Sequence, residues 1–362
     1  MTGVALCIRR FGFDIVLRRK KGDTFMPVRP TFLEGLTLSA DIIGQMGILV
    51  LAGYILVRRR WISQDTLTDL TRLLIDIIIP CAFILSMARS LSGELLGDGL
   101  TLAVIGAIWI VLAYTLGTLF FRIAPGPSSP KNRAVTAMMM IQNGIYLPLP
   151  VILAVTPPAM RDQATVYISI AAIPSIGLMW TMGVLLLSGR HTPGFREQLR
   201  LMFNPPLIAL LVGIAVAFIP GIPEASRGVE GSFRPLRMLF SVMGFLSQML
   251  SPMAMLILGG FIAGSRRTER CAMRHVLPLI IVRLFLIPGL VYLLIRSGRL
   301  DLPPLALTAL LLIASAPSAT NASLIARRYD GEWEFVASMQ LIIHAVALFT
   351  VPVWLSLGLM IR

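Results

Sequence analysis

The stretch that decides the fold is Gln-Asn-Gly-Ile-Tyr-Leu-Pro-Leu-Pro, residues 142–150, which interrupts a long apolar segment near its middle. Its prolines lack the backbone N–H that a helix needs and clash with the preceding turn, so the helix breaks here. A second interruption, Ser-Ala-Pro-Ser-Ala-Thr-Asn at residues 315–321, repeats the pattern late in the chain. Irregular backbone at membrane depth persists only where protein or a wet cavity satisfies its polar groups. Two such breaks in corresponding positions point to the binding site of a transporter.

The composition places the rest of the chain in a membrane. Of its 362 residues, 56% are hydrophobic and 14% are charged, and the mean hydropathy is +0.82. A water-soluble domain could not bury that much apolar surface. We therefore predict an all-α polytopic membrane protein. Its ten apolar spans, each about 20 residues long, cover residues 38–57, 67–88, 100–121, 133–155, 164–187, 205–220, 236–263, 276–296, 303–326 and 334–360.

The charge pattern predicts the orientation. The net charge of +14 comes from 32 basic and 18 acidic residues, and the basic ones fall in short runs between apolar spans, such as residues 58–60 and 327–328. The absence of one continuous basic patch in the sequence argues against a nucleic-acid partner. Loops after odd-numbered spans carry fifteen Lys and Arg, against eight in the other loops and the C-terminus. Because such residues stay on the cytoplasmic side, we expect a bacterial inner-membrane (plasma-membrane) protein with both termini non-cytoplasmic.

The first 35 residues contradict this orientation, because they carry seven basic residues. They also contain no apolar stretch long enough for a signal peptide. Either the start is misassigned, with Met26 or Met46 as the true beginning, or the charge rule is overridden in this segment. We favour the first interpretation and leave residues 1–35 outside the fold.

The remaining chain divides into two halves. Five spans in each half, residues 36–188 and 204–362 with a cytoplasmic linker at 189–203, force the second half into the inverted orientation. The halves share landmarks, since prolines at positions 80 and 252 interrupt spans 2 and 7, 172 positions apart. Asp76 and Gln248 stand four residues before these prolines, one helical turn back on the same face. This pairing predicts polar groups at matched depth.

Two smaller patterns predict local structure. Asn204 followed by two prolines is typical of the start of a helix, with the asparagine as the cap and proline in the first turn. Gly260 and Gly264 have the spacing of a helix-packing face and need no ligand.

The order of these motifs resembles the auxin efflux carrier family of bacterial and plant transporters. The resemblance covers the chain from about residue 45 to its end. The matching pieces are Gly53-Tyr54 followed by the arginines at 58–60 and Trp61-Ile62-Ser63, Pro80, Asn143 through Pro150, Asn204 through Ala209, Ser251-Pro252 leading to Gly259-Gly260, and Pro317 through Asn321 ending at Tyr329.

The resemblance implies two inverted five-helix repeats in which the broken helices 4 and 9 cross. It also implies an elevator-like motion, with spans 1, 2, 6 and 7 as the scaffold and spans 3–5 and 8–10 as the moving transport unit. Family members are similar in carrying organic anions such as mono- or dicarboxylates or indole acids. By analogy with other elevator scaffolds, a homodimer is expected.

The first interruption supplies four candidate substrate-binding residues, Asn143, Gly144, Tyr146 and Pro148. The Asn143 amide can donate to a carboxylate, while Gly144 lets the backbone approach closely. The half-helix that starts at the break would add N–H donors and a positive dipole end. Alternatively, Asn143 only caps that half-helix, and Tyr146 only packs.

The second interruption supplies the symmetric candidates. Asn321 is the counterpart of Asn143, and Thr320 and Ser318 are further donors. Arg283 stands alone in the middle of span 8, where its guanidinium could hold a carboxylate bidentately. It could equally be a structural counter-charge or a side chain that snorkels toward the membrane surface.

Three residues are candidates for ion or proton coupling. Asp76 is an intramembrane acid, which usually marks an ion path or pairs with a cation, here Arg72 one turn earlier. Gln248 is its partner in the other half. His344 in span 10 can titrate near neutral pH, although a lone histidine in an apolar helix more often packs.

The leading function is thus a secondary permease that carries a small organic anion through the lipid bilayer. A cation-coupled antiporter or symporter of the same architecture is the alternative, although such proteins place more acids at the crossing than spans 4 and 9 hold. A non-transporting receptor or an intramembrane enzyme is less favoured, since neither a metal motif nor a nucleophile–base pair is recognisable. The three scattered cysteines and three histidines predict free thiols and no metal or cofactor.

Overall fold

The computed structural model describes residues 6–10, 13–17, 32–123, 129–189, 194–264 and 271–361. Two short strands, β1 (Leu6–Arg10) and β2 (Phe13–Leu17), form an antiparallel hairpin in the segment predicted to lie outside the fold. The interpretation of residues 1–35 as a misassigned start stays a prediction.

The rest of the described chain is helical, as predicted. The helices are α1 (Phe32–Arg58), α2 (Gln64–Ser90), α3 (Gly93–Ile123), α4 (Pro130–Met140), α5 (Pro148–Val155), α6 (Pro158–Leu187), α7 (Phe195–Met202), α8 (Pro205–Ala217), α9 (Ile222–Ser226), α10 (Arg234–Gly264), α11 (Met273–Arg296), α12 (Pro304–Ser315), α13 (Ala322–Arg328) and α14 (Trp333–Leu359).

Seven of these helices are long and apolar enough to cross a membrane, namely α1, α2, α3, α6, α10, α11 and α14. The pair α7 and α8 reaches that length together, with a 63° bend between its members. The two predicted interruptions separate α4 from α5 and α12 from α13, so each yields two short half-helices. The structure therefore agrees with an all-helical membrane protein, whereas the count of ten spans in two inverted halves stays a prediction.

Local sequence chemistry explains where several helices begin. The Asn204 side chain accepts the Leu207 N–H at 3.0 Å and Pro205 opens the first turn of α8, as predicted. In the same way, the Ser129 hydroxyl accepts the Asn132 N–H at 3.2 Å before Pro130 opens α4. Such caps satisfy N–H groups that have no partner within the helix.

Glycines bring α1 and α10 into direct backbone contact. A Cβ atom on Gly53 would lie 2.0 Å from the Leu256 carbonyl oxygen, and one on Gly259 would lie 1.8 Å from the Val50 carbonyl oxygen. Small residues of this kind let membrane helices pack closely. Gly260, read from the sequence as a packing residue, faces the side chain of Leu67 on α2.

The helices pack in two groups, whose names we keep below. The first group comprises α1, α2, α8 and α10, in which α1 lies along α10 and α8 lies along the second half of α2. The second group comprises α3 to α6 and α11 to α14, which enclose the fully buried methionines at 138–140. The groups meet mainly where α2 contacts α6 and where α1 contacts α14.

Three long helices contain a π-helical turn, at Leu74–Ile78 in α2, Met179–Gly183 in α6 and Ile281–Leu286 in α11. The turns in α2 and α11 come just before Pro80 and Pro288, and they hold Asp76 and Arg283. A proline removes one N–H donor from the helix and so disturbs the regular hydrogen bonding of the preceding turn.

Candidate functional site

The two interruptions cross and pair with each other. Gln142 and Ser318 form an antiparallel bridge, in which the Asn143 N–H donates to the Pro317 carbonyl at 2.8 Å and the Ala319 N–H donates to the Ile141 carbonyl at 3.0 Å. Each break thus satisfies backbone groups that the other break freed. Irregular backbone at membrane depth requires hydrogen-bond partners of this kind within the protein.

Side chains of neighbouring helices hold the crossing in place. The Gln142 amide donates to the Ser175 hydroxyl at 2.5 Å and its oxygen accepts the Trp109 indole N–H at 3.4 Å. From α14, the Gln340 amide donates to the Ala319 carbonyl at 2.5 Å. Sequence reasoning assigned no role to Gln142 or Gln340, although a glutamine within an apolar helix is itself a signal that a partner exists.

A cavity of about 70 Å³ lies between this crossing and the first group. Four predicted site residues line it, namely Asn143, Tyr146, Thr320 and Asn321. The opposite wall comes from Thr71, Leu74 and Ile75 of α2 and from apolar residues of α10. Amide and hydroxyl groups of the crossing therefore line a pocket whose other walls are apolar apart from Thr71, which is the usual character of a small-molecule site.

Asn143 combines the two roles considered from the sequence. Its side-chain oxygen accepts the Tyr146 N–H at 3.0 Å, which leaves the two N–H donors of the same amide for the cavity. In Asn321, the side-chain oxygen is buried and has no hydrogen-bond partner among the described residues. Buried polar atoms are rarely left unpaired, so this oxygen is a candidate partner for a donor group, while only the N–H₂ group of the same amide can donate to an anion.

The backbone at the start of α5 offers fewer donors than the sequence suggested. Proline occupies positions 148 and 150, and neither has an N–H. The N–H groups of Leu149 and Val151 donate to carbonyls of the preceding turn, at 3.0 and 3.3 Å. At the first interruption, the Asn143 side-chain amide is therefore a better donor than the start of α5.

Three other predicted residues lie beside the cavity rather than on its wall. The missing Cβ of Gly144 would face Ala172 and Ser175 on α6. Pro148 is buried at the first position of α5, and Ser318 is fully buried in the bridge. Their substrate-binding role stays untested, and their positions indicate that they shape the crossing.

Arg283 also lies outside the lining of the cavity. It is fully buried, and its Nε and Nη2 atoms donate to the carbonyls of Ala316 and Ile313 at 2.9 and 3.2 Å. These carbonyls belong to the C-terminal end of α12 and to the break that follows it. The guanidinium therefore approaches the crossing from the second group.

The candidates for coupling are dispersed. Asp76 is exposed on α2, close enough to Tyr146 for an electrostatic interaction. Its suggested partner Arg72 instead pairs with Asp69 at 3.5 Å, so the pairing considered from the sequence is wrong. His344 contacts the Gln340 carbonyl through Nδ1 at 2.8 Å.

A second, larger cavity lies further along α2 and α10. It has a volume of about 710 Å³, and its polar lining includes Ser86, Arg89, Asp162, Ser247, Gln248 and Ser251. Across it, the Ser86 hydroxyl donates to the Asp162 carboxylate at 2.9 Å, and Arg89 lies 3.7 Å from the same carboxylate. Sequence reasoning counted Arg89 only as a loop charge and missed this contact between the two helix groups.

Within the described ranges, no three His, Cys, Asp or Glu side chains gather in a set that could hold a metal ion. The candidate site consists of the crossing with its two asparagines and of the two cavities beside α2 and α10.

Comparison with known proteins supports a transport role for this architecture. The family model described as membrane transport protein matches residues 43–196 and again residues 194–355, which means one match in each half. A curated relative from Methanothermobacter thermautotrophicus, named an uncharacterized transporter, is 27% identical over 322 residues. The alignment covers 87% of this chain and 97% of the relative.

Proposed function

Because the chain belongs to the membrane transport protein family, the auxin efflux carrier type that its motifs resemble, we propose that it is a secondary transporter of an organic anion such as a carboxylate. Family membership makes it an integral membrane transport protein rather than an enzyme. The proposal adds the substrate class, the architecture and the mechanism.

The proposed architecture has ten spans in two inverted five-helix halves. Seven long helices, the bent pair α7 and α8, and the two crossing pairs of half-helices together supply ten candidates. Two successive matches of one family model, at residues 43–196 and 194–355, support two related halves. The predicted boundaries of the halves, 36–188 and 204–362, are similar to these matches.

The proposed mechanism is an elevator, in which the second helix group carries the substrate past the first. Support comes from the cavity at the crossing, because its donors belong to the second group while its apolar wall belongs to the first. A substrate held by Asn143 and Asn321 would then travel with its donors. The bacterial inner membrane, non-cytoplasmic termini and a homodimer remain parts of the proposal.

The observation that carries the anion assignment is the convergence of amide and hydroxyl donors with no acid in either interruption. A carboxylate needs donors, and a hydrogen bond to a charged group is stronger than one between neutral groups. Proton coupling through Asp76 is the second candidate property, supported by its position next to Ile75, which lines the crossing cavity. Gln248 and His344 lie away from the crossing cavity and are weaker candidates for coupling.

The test measures uptake of radiolabelled carboxylates, namely acetate, benzoate and succinate, into liposomes that contain the purified protein. We compare Asn143→Ala with Asn143→Asp, because the aspartate oxygen still accepts the Tyr146 N–H while both amide donors are lost. Loss of hydrogen bonds to a charged substrate should reduce uptake roughly tenfold to a hundredfold in both variants.

The aspartate variant separates binding from folding. Thermal unfolding of this variant is measured alongside uptake, because the kept cap at Tyr146 stabilises the fold while a carboxylate buried at this depth costs stability. Unchanged uptake in Asn143→Asp would refute the site. Absence of uptake of all three anions by the natural protein, in vesicles where it is folded, would refute the substrate class.

A further inference from the structure

Arg283 is a buried charge without a buried counter-charge. Among the residues that the structure describes, it is the largest fully buried side chain, at 0% exposure, and it lies near the middle of α11. None of the ion pairs between described residues includes it. An ionised side chain at such a depth carries a large desolvation penalty unless an opposite charge compensates it.

The protein compensates this charge only in part. Nε and Nη2 donate to the Ala316 and Ile313 carbonyls, which carry the partial negative charge of a helix C-terminus. The Nη1 atom has no hydrogen-bond partner among the described residues. The positive charge of Arg283 next to the second interruption is thus only partly compensated.

Arg283 and Asn143 bind adjacent peptide units of the second interruption. Arg283 donates to the carbonyl of Ala316, and the next carbonyl, that of Pro317, accepts the N–H of Asn143. Asn143 in turn lines the cavity with its amide. Arg283 itself is not among the residues that line the cavity, so a substrate there would have no direct contact with the guanidinium.

We infer that Arg283 is the resident counter-charge of the transported anion. It is a positioning residue that neutralises a bound monoanion through the crossing, so that the loaded second helix group moves without net charge in its interior. This inference rests on the proposed function. It assigns to a fixed side chain the role that a co-bound cation would have in a cation-coupled carrier.

The loaded and the empty second group should differ in net charge. The other ionised residues of the second group, such as Arg161 and Arg296, stand near helix ends, whereas Arg283 is central. When a monoanion is bound, its charge balances that of Arg283 in the interior of the second group. When no substrate is bound, the positive charge of Arg283 is left without a counter-charge. A membrane potential acts on any net charge that moves across the bilayer. It should therefore act on the return of the empty group and leave the loaded group unaffected.

The experiment measures benzoate-for-benzoate exchange in proteoliposomes under a potassium diffusion potential set by valinomycin, in both polarities. Exchange uses only loaded steps, so in the natural protein its rate should change by less than about twofold between polarities. Net uptake into benzoate-free vesicles, which needs the empty return, should change several-fold.

Two variants test the assignment to Arg283. Arg283→Lys keeps the charge and should keep exchange insensitive to the potential. Arg283→Gln places an amide N–H₂ at the position of the Nε atom, where it can still donate to the Ala316 carbonyl, but removes the charge, so exchange should become several-fold dependent on polarity. Unaltered, potential-independent exchange in Arg283→Gln would overturn the inference.

The natural protein provides a test that needs no variant. If its benzoate exchange depends strongly on polarity, the loaded group carries net charge and the inference fails even if Arg283→Gln does not fold. Failure of the proposed function gives a different result, because the natural protein would then exchange no carboxylate at either polarity, and the inference would fall with it.

Discussion

The side-chain amide of Asn143 divides its two ends between the protein and the cavity. Its oxygen fixes the turn at Tyr146, and its N–H₂ group remains for a ligand. The two interpretations of this residue from the sequence, a cap and a ligand donor, are therefore compatible. Asn321 differs, because its buried oxygen has no partner among the described residues. The two asparagines are thus similar in position but unequal in their bonds.

At the residue scale, the glycines of α1 allow a matched test of packing. We predict that Gly53→Ala destabilises the protein by about 1–3 kcal/mol, the usual cost of forcing an extra methyl group into a packed contact. The new Cβ would lie 2.0 Å from the Leu256 carbonyl oxygen and must push α1 away from α10. Thermal unfolding in detergent measures the effect.

Gly47→Ala is the control for this prediction, since it lies in the same helix and its Cβ would meet no atom within 4 Å. Its stability should be unchanged or slightly higher, because alanine has the better helix propensity. Equal unfolding temperatures for the two variants would mean that α1 and α10 do not make the close contact described.

At the scale of elements, two of the three π-helical turns hold a charged residue near the middle of a long helix. Asp76 and Arg283 both occur within such turns, each shortly before a proline. A π-helical turn adds a residue to the helical ring and changes the direction in which side chains point. The apolar pattern of a span reveals its length, but it does not reveal such a local change of pitch.

The linker helix α7 is attached to the end of α13. The Tyr329 hydroxyl donates to the Glu197 carboxylate at 2.9 Å, and Arg328 lies 3.7 Å from the same carboxylate. The backbone adds a second attachment, since the Gly189 N–H donates to the Tyr329 carbonyl at 2.9 Å. The linker between the two halves should therefore move with the second helix group.

We predict that this attachment weakens at alkaline pH. Burial, together with the hydrogen bond to Glu197, raises the pKa of Tyr329 above its ordinary value. The stability that the neutral phenol contributes is complete below the ordinary pKa of about 10 and is lost as the pH rises through the higher folded-state pKa. Unfolding temperatures measured from about pH 8 to pH 11 should fall more steeply for the natural protein than for Tyr329→Phe.

Tyr292→Phe is the control for this titration, because the Tyr292 hydroxyl has no hydrogen bond in the described part of the chain. At neutral pH, Tyr329→Phe should be less stable by about 0.5–1.5 kcal/mol, the net value of one hydrogen bond, while Tyr292→Phe should be unchanged. Parallel pH profiles for the natural protein and Tyr329→Phe would contradict the assignment.

At the scale of the whole molecule, the two cavities lie one after the other along α2 and α10. The smaller one contacts residues 71–75 of α2 and the larger one contacts residues 82–89, about 10 Å further on at 1.5 Å per residue. Pro80 lies between them. This succession along the first helix group is the geometry expected if the second group slides past it.

We predict that a cross-link between the groups stops transport. In a cysteine-free background, Ser86→Cys on α2 and Asp162→Cys on α6 place two thiols where a 2.9 Å hydrogen bond now joins the groups. A short thiol cross-linker should reduce carboxylate uptake to background, because the groups can no longer move relative to each other. Uptake before and after cross-linking is compared in the same vesicles.

The control pair is Asn132→Cys with His275→Cys, whose natural side chains are hydrogen bonded at 3.0 Å within the second group. Cross-linking this pair should leave most of the uptake intact. If the inter-group cross-link forms fully and uptake continues, the elevator mechanism is wrong.

The sequence by itself determined that the chain lies in a lipid bilayer, that its fold is helical and to which family it belongs. Long apolar spans, prolines within them and polar residues at the breaks are local features, and each acts through a rule that holds wherever the span is placed. The all-helical membrane fold and the family were predictable for this reason, whereas the meeting of Asn143, Tyr146, Thr320 and Asn321 at one cavity was expected only from the resemblance to the family.

Only the tertiary structure decided which way the polar groups face. It turned Arg283 toward the Ala316 carbonyl, paired the backbone at Gln142 with that at Ser318, and joined Ser86 to Asp162 across the two groups. These contacts join residues that are far apart in the chain. Their direction depends on the helical pitch and on the packing of neighbouring helices, and neither is contained in the local pattern of residues.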